Sequence, residues 1–443
     1  WESMSDDPST PGNSESVSAA TAVASAEPSE HGPGDVRDRP HRRRRRRRRR
    51  GRGGHGGGAP GGNGSPERSE ENSSGPSAAE TPVEGVLYLP PKESAAGVLV
   101  SAKANYLPSP RDPLVPRELV NREGLEAGAA IVGTAGGGGR PVLRRIESVE
   151  GKSAAEFRQR PSFQELTSID PHDRLKLETE PGEMCGRVVD LLAPIGRGQR
   201  CLIVAPPKAG KTTLLKRMAH AVSVNDPDVH VIVLLVDERP EEVTDWRRSV
   251  RGEVIASSAD LSAENHVAVS EIVAERARRL VESGKNAIIF LDSITRMSRA
   301  YNHMQKGGGK ILSGGIDART MEKPRRFFGA ARNVEGGGSL TIVATALVDT
   351  GSRMDEIIFQ EFKGTGNTEI VLDRDLFNRR IFPCINIPQS GTRKEEKLYG
   401  PDELPKIVKL RRALAAVDKI QAMELVLGRL AKFPTNADFL KSF

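Results

Sequence analysis

An α/β fold organised on a parallel sheet is predicted by three apolar runs in this 443-residue chain, each ending where polar, chemistry-bearing residues begin. Cys201-Leu202-Ile203-Val204 leads into Ala205-Pro206-Pro207-Lys208-Ala209-Gly210-Lys211-Thr212. Residues 229–236 (VHVIVLLV) end in Asp237-Glu238-Arg239, and residues 286–291 (NAIIFL) end in Asp292-Ser293. Short apolar runs of this kind suit strands buried on both faces, and open parallel sheets bind ligands at the carboxyl ends of their strands.

The first run carries the most chemistry. A strand, a glycine-containing loop and a helix predicted over residues 212–222 make a P-loop, whose backbone N–H groups and helix N-terminus present partial positive charge to a phosphate. Lys211 would reach the β- and γ-phosphates, and the Thr212 hydroxyl would bind Mg²⁺. Ala205 stands where the general motif has its first glycine, so the bland alternative is a lysine in an ordinary strand-to-helix turn. The two acidic strand ends weigh against it. Asp292 is the expected Walker B carboxylate, holding Mg²⁺ through Thr212 and water, with simple helix capping as its alternative. Glu238 is the candidate for polarising an attacking water.

Residues 1–82 do not belong to a packed core. They are rich in Ser, Gly, Pro, Ala and Glu and contain one aromatic, Trp1, so they are expected to form a disordered arm. Residues 42–50 are an unbroken arginine run. Between Asp35 and Arg52, twelve Arg stand against two Asp, a local charge of +10 (12 − 2), although residues 1–82 sum to only +1 (13 − 12). Such a block attracts nucleic acid by neutralising phosphates, with a merely solubilising tail as the alternative. The absence of an 18-residue apolar stretch or a signal-peptide pattern predicts a soluble, cytoplasmic protein with no membrane partner. Cys185, Cys201 and Cys384 lack metal-ligand spacing and read as buried thiols.

Residues 83–162 alternate short apolar runs with Pro and Gly turns, the pattern of a small all-β barrel of the OB or cold-shock kind. Tyr88 and Tyr106 are its only tyrosines. Aromatic stacking normally supplies single-strand affinity, so they form a thin platform, with simple packing of the barrel as the alternative for either. Residues 163–180 read as a linker into the α/β domain, residues 181–443.

From about Phe163 onward the chain resembles the Rho family of bacterial transcription terminators. The matching runs are PIGRGQR at 194–200, APPKAGKT at 205–212, VDERPEEVT at 236–244, LDSITR at 291–296, RRFFGAARNV at 325–334, EFKGTGN at 361–367 and SGTRKEE at 390–396. The resemblance shares Ala205 and implies a RecA-like P-loop ATPase domain. It also implies a homohexameric ring with ATP bound between subunits, RNA-dependent ATP hydrolysis with 5′–3′ helicase action, and single-stranded RNA and the RNA polymerase elongation complex as partners.

Carried over residue by residue, the resemblance implies a nucleotide site formed by Lys208, Ala209, Gly210, Lys211, Thr212, Thr213 and Arg239, with Glu238 as catalytic carboxylate. Thr212 and Asp292 hold the metal. Arg393 becomes an arginine finger supplied in trans, Arg380 a further phosphate or interface contact beside it, and Phe382 the residue that stacks on adenine. RNA contacts are implied for Lys310 in the glycine-rich loop 305–317 and for Lys363, Gly364, Thr365 and Gly366. The front of the chain departs from the family, since Gly97-Val98-Leu99-Val100 stands where an aromatic GFGF-like motif is usual. Stacking of order 1–3 kcal/mol per base is thereby lost.

Overall fold

The computed structural model describes residues 80–92, 95–137, 139–305, 311–312, 316–317 and 319–443. The arginine run 42–50 and Lys310 lie outside the described residues.

Five strands close into the expected barrel: β1 (Thr81–Tyr88), β2 (Gly97–Val100), β3 (Leu114–Val115), β4 (Ala130–Gly136) and β5 (Val142–Val149), in the order β1-β2-β3-β5-β4 with β4 returning to β1. Alternation along the strands sends Leu87, Leu99 and Leu143 inward, where Val115, Ile131 and Phe157 complete a small apolar core. The opposite side of β2 and of the end of β1 at Val86 is not solvent-facing. Val86, Val98, Val100 and Tyr106 belong to the same apolar cluster as Val269, Ile272 and Val273 of the helix Ala263–Glu282. The stretch expected to replace the stacking motif is therefore buried, with Val98 at 6 %, Leu99 at 2 % and Val100 at 0 % exposure, and it presents no face to a base.

Polar groups weld this seam. Asn105 Oδ1 accepts the Ala256 N–H and the Arg247 guanidinium, each at 2.9 Å, and the Tyr106 hydroxyl donates to Glu253. Arg160 Nε donates to Glu282 Oε2 at 2.7 Å, the Phe163 N–H donates to Glu282 Oε1 at 2.9 Å, and Arg276 pairs with Glu150. Gly128, in the left-handed region at φ +85, lies so close to the backbone of Glu275 and Arg276 that a Cβ there would collide with it.

The segment after the barrel is more than a connector. Ser168–Ile169 forms β6, which pairs with β15 (Arg332–Val334), and a two-stranded ribbon of β7 (Arg174–Leu175) and β8 (Ile195–Gly196) follows. The main sheet holds β9 (Arg200–Ala205), β10 (His230–Glu238), β11 (Glu253–Ser258), β12 (Asn286–Asp292), β16 (Ser339–Leu347), β17 (Thr368–Val371) and β18 (Gly391–Thr392). The short pair β13 (Ile311–Leu312) and β14 (Ile316–Asp317) stands apart. The main path of the large sheet is β11-β10-β12-β16-β9-β17-β18, parallel except for β18, which runs antiparallel to β17, and β15 and β6 extend the sheet beside β16 through antiparallel pairs. The three predicted strands are thus β9, β10 and β12. Placing β16 between β9 and β12 aligns the carboxyl ends of all three along one rim.

Candidate functional site

β9 ends at Ala205, and the chain turns through Lys208 (φ +63) and Gly210 (φ +83) into the helix Lys211–Asn225. The left-handed conformation at the helix N-cap is one that glycine adopts without strain. No side chain caps this helix, so its first-turn N–H groups remain available to an anion. Lys208 and Thr213 are exposed, Ala209 is buried, and Lys211 and Thr212 are half-buried.

Three strand ends meet the start of this helix. The Lys211 ammonium bonds the Asp292 carboxylate and stands 3.6 Å from Glu238 Oε1. Thr212 Oγ1 donates to Asp292 Oδ2 at 3.2 Å. Asp292 is fully buried and Glu238 is 2 % exposed, so both carboxylates sit in a low-dielectric rim. Glu238 Oε1 has no hydrogen-bond partner among the described residues. Burial first, and the nearby Asp292 charge second, push the Glu238 carboxyl up to about 7, against the opposing pull of Lys211 and Arg296.

Two contributors were not singled out from sequence. Thr345 of β16 donates its hydroxyl to Asp292 Oδ1 at 2.9 Å, fixing the carboxylate from behind. Arg296 places Nη2 3.6 Å from Glu238 Oε1 and Nη1 3.7 Å from Asp237 Oδ2. Arg296 closes the quoted LDSITR run, whereas Thr345 is a hydroxyl in an apolar strand and gives no local signal. Arg239 is exposed and precedes the helix Pro240–Ser249.

The remaining predicted residues divide between the two ends of β17. Leu372 donates its N–H to the Val204 carbonyl and Asp373 donates to Cys384, which puts Phe382 at the P-loop end of the sheet. Phe382 is 47 % exposed and meets Phe377 edge-on at 5.7 Å. Arg380, exposed and at φ +61, lies at this end too. From Ile385 the chain then returns antiparallel to β17, pairing Gly391 with Glu369 and Thr392 with Thr368, and the Arg393 N–H donates to the Asn367 carbonyl at 2.8 Å.

Arg393 and Arg380 are accordingly not side by side, as the resemblance suggested. The antiparallel return carries Arg393 to the opposite end. Asn367 is tied to Arg200, the first residue of β9, five residues before Ala205 and hence roughly 16 Å of strand from the P-loop.

The loop after the helix Arg353–Lys363 is held by that same end. Arg200 Nε donates to the Thr365 carbonyl at 2.9 Å, and the Arg200 N–H donates to Asn367 Oδ1 at 2.7 Å. Lys363 and Gly364 are exposed and Thr365 is half-buried. Gly366 is buried, with its N–H donated to Phe362. A cavity of about 630 Å³ runs from Pro206 past Val204 and Val371 to Phe359 and Lys363. Cys201 and Cys384 are buried as expected, and Cys185 is half-buried.

Among the described residues no group of three or more His, Cys, Asp or Glu could hold a metal unaided, and no helix is long and apolar enough to cross a membrane. An uncapped helix N-terminus, a lysine, a threonine hydroxyl and two strand-end carboxylates, one with an unpartnered buried oxygen, instead form a donor set suited to a polyphosphate that brings its own cation.

Residues 186–392 match the ATP synthase alpha/beta family, nucleotide-binding domain. The fold is similar to that of a prototypical ATPase from the type III secretion system of pathogenic bacteria, with a TM-score of 0.54 over 69 % of this chain and 93 % of that one at 19 % identity; this likeness concerns the fold alone. Transcription termination factor Rho of Streptomyces lividans is 52 % identical over 366 residues, 81 % of this chain, and the chain spans about half (51 %) of that relative's length. The Aquifex aeolicus factor of the same name is 50 % identical over 368 residues, covering 81 % of this chain and 84 % of its own. With half of the residues identical across most of both chains, and with the P-loop, the acidic strand ends and the SGTRKEE run on one RecA-like frame, this chain belongs to the transcription termination factor Rho family.

Proposed function

We propose that the chain is an RNA-dependent ATPase that translocates along single-stranded RNA and releases transcription complexes, assembled as a homohexameric ring with the RNA polymerase elongation complex as its partner. The observation that carries the hydrolytic part is the buried Glu238 carboxylate, its Oε1 unpartnered, 3.6 Å from Lys211 at the start of an uncapped helix. The site fits ATP. The first-turn N–H groups and Lys211 bind the β- and γ-phosphates, Lys211 exchanging its Asp292 contact for phosphate oxygens, while Thr212 and Asp292 hold Mg²⁺ directly or through water. When bound, Mg²⁺ neutralises phosphate charge and orients the terminal phosphate. Glu238 then holds and polarises the attacking water, with Thr345 holding Asp292 and Arg296 beside Glu238, and Phe382 offers its open face to adenine.

Arg393 lies at the far end of the sheet from its own P-loop, so a role in transition-state charge stabilisation requires the phosphates of a neighbouring subunit. This supports its reading as an arginine finger in trans and ties hydrolysis to ring assembly. Lys363, Gly364 and Thr365 are the candidate RNA contacts among the described residues, with Lys310 and the arginine arm added from sequence. The relatives' name and the resemblance support RNA as the polymer. The test is steady-state ATP hydrolysis with no polymer, with single-stranded RNA and with single-stranded DNA. Stimulation by RNA alone is expected, whereas equal stimulation by DNA would make the chain a general or DNA translocase.

A further inference from the structure

We propose that Asp170, in the segment joining the barrel to the sheet, is a positioning residue for the loop that carries Arg393, tying Lys394 and Lys397 into ion pairs while Arg393 stays exposed beside them. The inference rests on the trans reading of Arg393.

The geometry is a clamp. Lys394 Nζ donates to both Asp170 oxygens, at 3.0 and 2.9 Å, and Lys397 Nζ donates to Oδ2 at 2.6 Å. One carboxylate thus grips both ends of the turn that follows Arg393. Lys394 adopts the left-handed conformation (φ +56), which turns the chain sharply away from Arg393. On the other side, Thr392 Oγ1 donates to the Pro194 carbonyl at 2.7 Å. Arg393 is exposed between these two anchors.

Asp170 can act as an anchor because its own backbone is built in. The two residues before it form β6, with Ile169 opposite Asn333 of β15, and three residues after it the Asp173 carbonyl accepts the Arg197 N–H at 2.8 Å. The two ammonium groups hold its carboxyl down to about 2, so the clamp stays charged at neutral pH. The chemistry gives the carboxylate a purpose beyond tethering. Arg393, Lys394 and Lys397 are three cations within five residues, and an unpaired Lys394 would compete with Arg393 for the same phosphate oxygens. A planar guanidinium can pair two oxygens at once, which an ammonium in the same place cannot reproduce. Asp170 holds both ammonium groups and fixes the turn. The clamp also sits ten residues past Arg160, which is bonded to Glu282 at the barrel seam, so a displacement of the barrel has a short route to the arginine loop.

The experiment is steady-state ATP hydrolysis by the full chain with single-stranded RNA, comparing the parent, Asp170→Ala, Asp170→Glu and Arg393→Ala, with the melting temperature of each. Because the ion pairs are exposed, Asp170→Ala should lower kcat only about three- to fivefold. The KM for ATP and the melting temperature should hold, and Asp170→Glu should recover most of the rate. A parent-like kcat in Asp170→Ala, with Arg393→Ala inactive, overturns the clamp and leaves the trans reading standing. A parent-like Arg393→Ala overturns the trans reading itself. Loss of kcat in Asp170→Ala accompanied by a lower melting temperature, or not recovered by Asp170→Glu, reduces Asp170 to a structural residue and also overturns the proposal.

Discussion

Lys211 bridges two carboxylates from different strands, bonding Asp292 and standing 3.6 Å from Glu238 Oε1. Removing the ammonium takes away the charge that opposes protonation of the buried Glu238 carboxyl and, on the proposed reading, the main cation for the phosphates. Lys211→Ala is expected to abolish ATP hydrolysis, with at least about a 10²-fold loss in kcat. Glu238→Gln should retain nucleotide binding while kcat falls by about 10²–10⁴ if, as proposed, the carboxylate acts on water and not on the bound ground state. Equilibrium binding of a fluorescent ATP analogue beside single-turnover hydrolysis separates the two. Turnover by Glu238→Gln near the parent rate would remove Glu238 from the mechanism.

The pH dependence follows from the raised Glu238 carboxyl, at about 7. Below that pH the group is protonated and cannot polarise water, so kcat/KM should fall on the acid side with a midpoint near pH 7. Glu238→Gln should abolish that limb. The sign for stability is the reverse. Between the ordinary carboxylate range and about pH 7 the folded state binds the extra proton, so this group's contribution to stability declines as pH rises through that window. Chemical denaturation of the parent and of Glu238→Gln at pH 5 and pH 8 should therefore show the mutant gaining relative to the parent at the higher pH.

The separation of Arg393 from its own P-loop predicts complementation. Arg393→Ala and Lys211→Ala subunits, each inactive alone, should regain partial activity when mixed, because some interfaces then pair an intact P-loop with an intact arginine. Activity measured across mixing ratios is the check. Full activity of Arg393→Ala by itself would refute the role.

Val98, Leu99 and Val100 stand where the resemblance would have stacking aromatics, and they are buried, which leaves the arginine block at residues 42–50 as the densest positive charge the sequence offers to RNA. Deleting residues 1–82 should weaken single-stranded RNA binding substantially and flatten the slope of log K against log salt, while ATP binding persists. Titrations at several salt concentrations decide it. Equal affinity and equal slope in both proteins would mean that the arm is not an RNA ligand.

Sequence alone determined the parts of this protein that are local in the chain. A buried strand, a left-handed glycine and a helix start lie within a dozen residues, so the P-loop was legible as a string. Acidic residues closing apolar runs likewise marked Glu238 and Asp292, because a carboxylate at a strand's carboxyl end is placed by the strand itself. The barrel was legible from its turn spacing. Tertiary structure decided what depends on register between distant segments. Thr345 reaches Asp292 only because β16 inserts beside β12, and Arg393 parts from Arg380 only because residues 385–393 run back along β17. Whether Val98 and Val100 face a base or a helix depended on which side of β2 docked against Ala263–Glu282. Strand pairing joins residues more than a hundred positions apart, and no local preference encodes which partner a strand edge or face will meet.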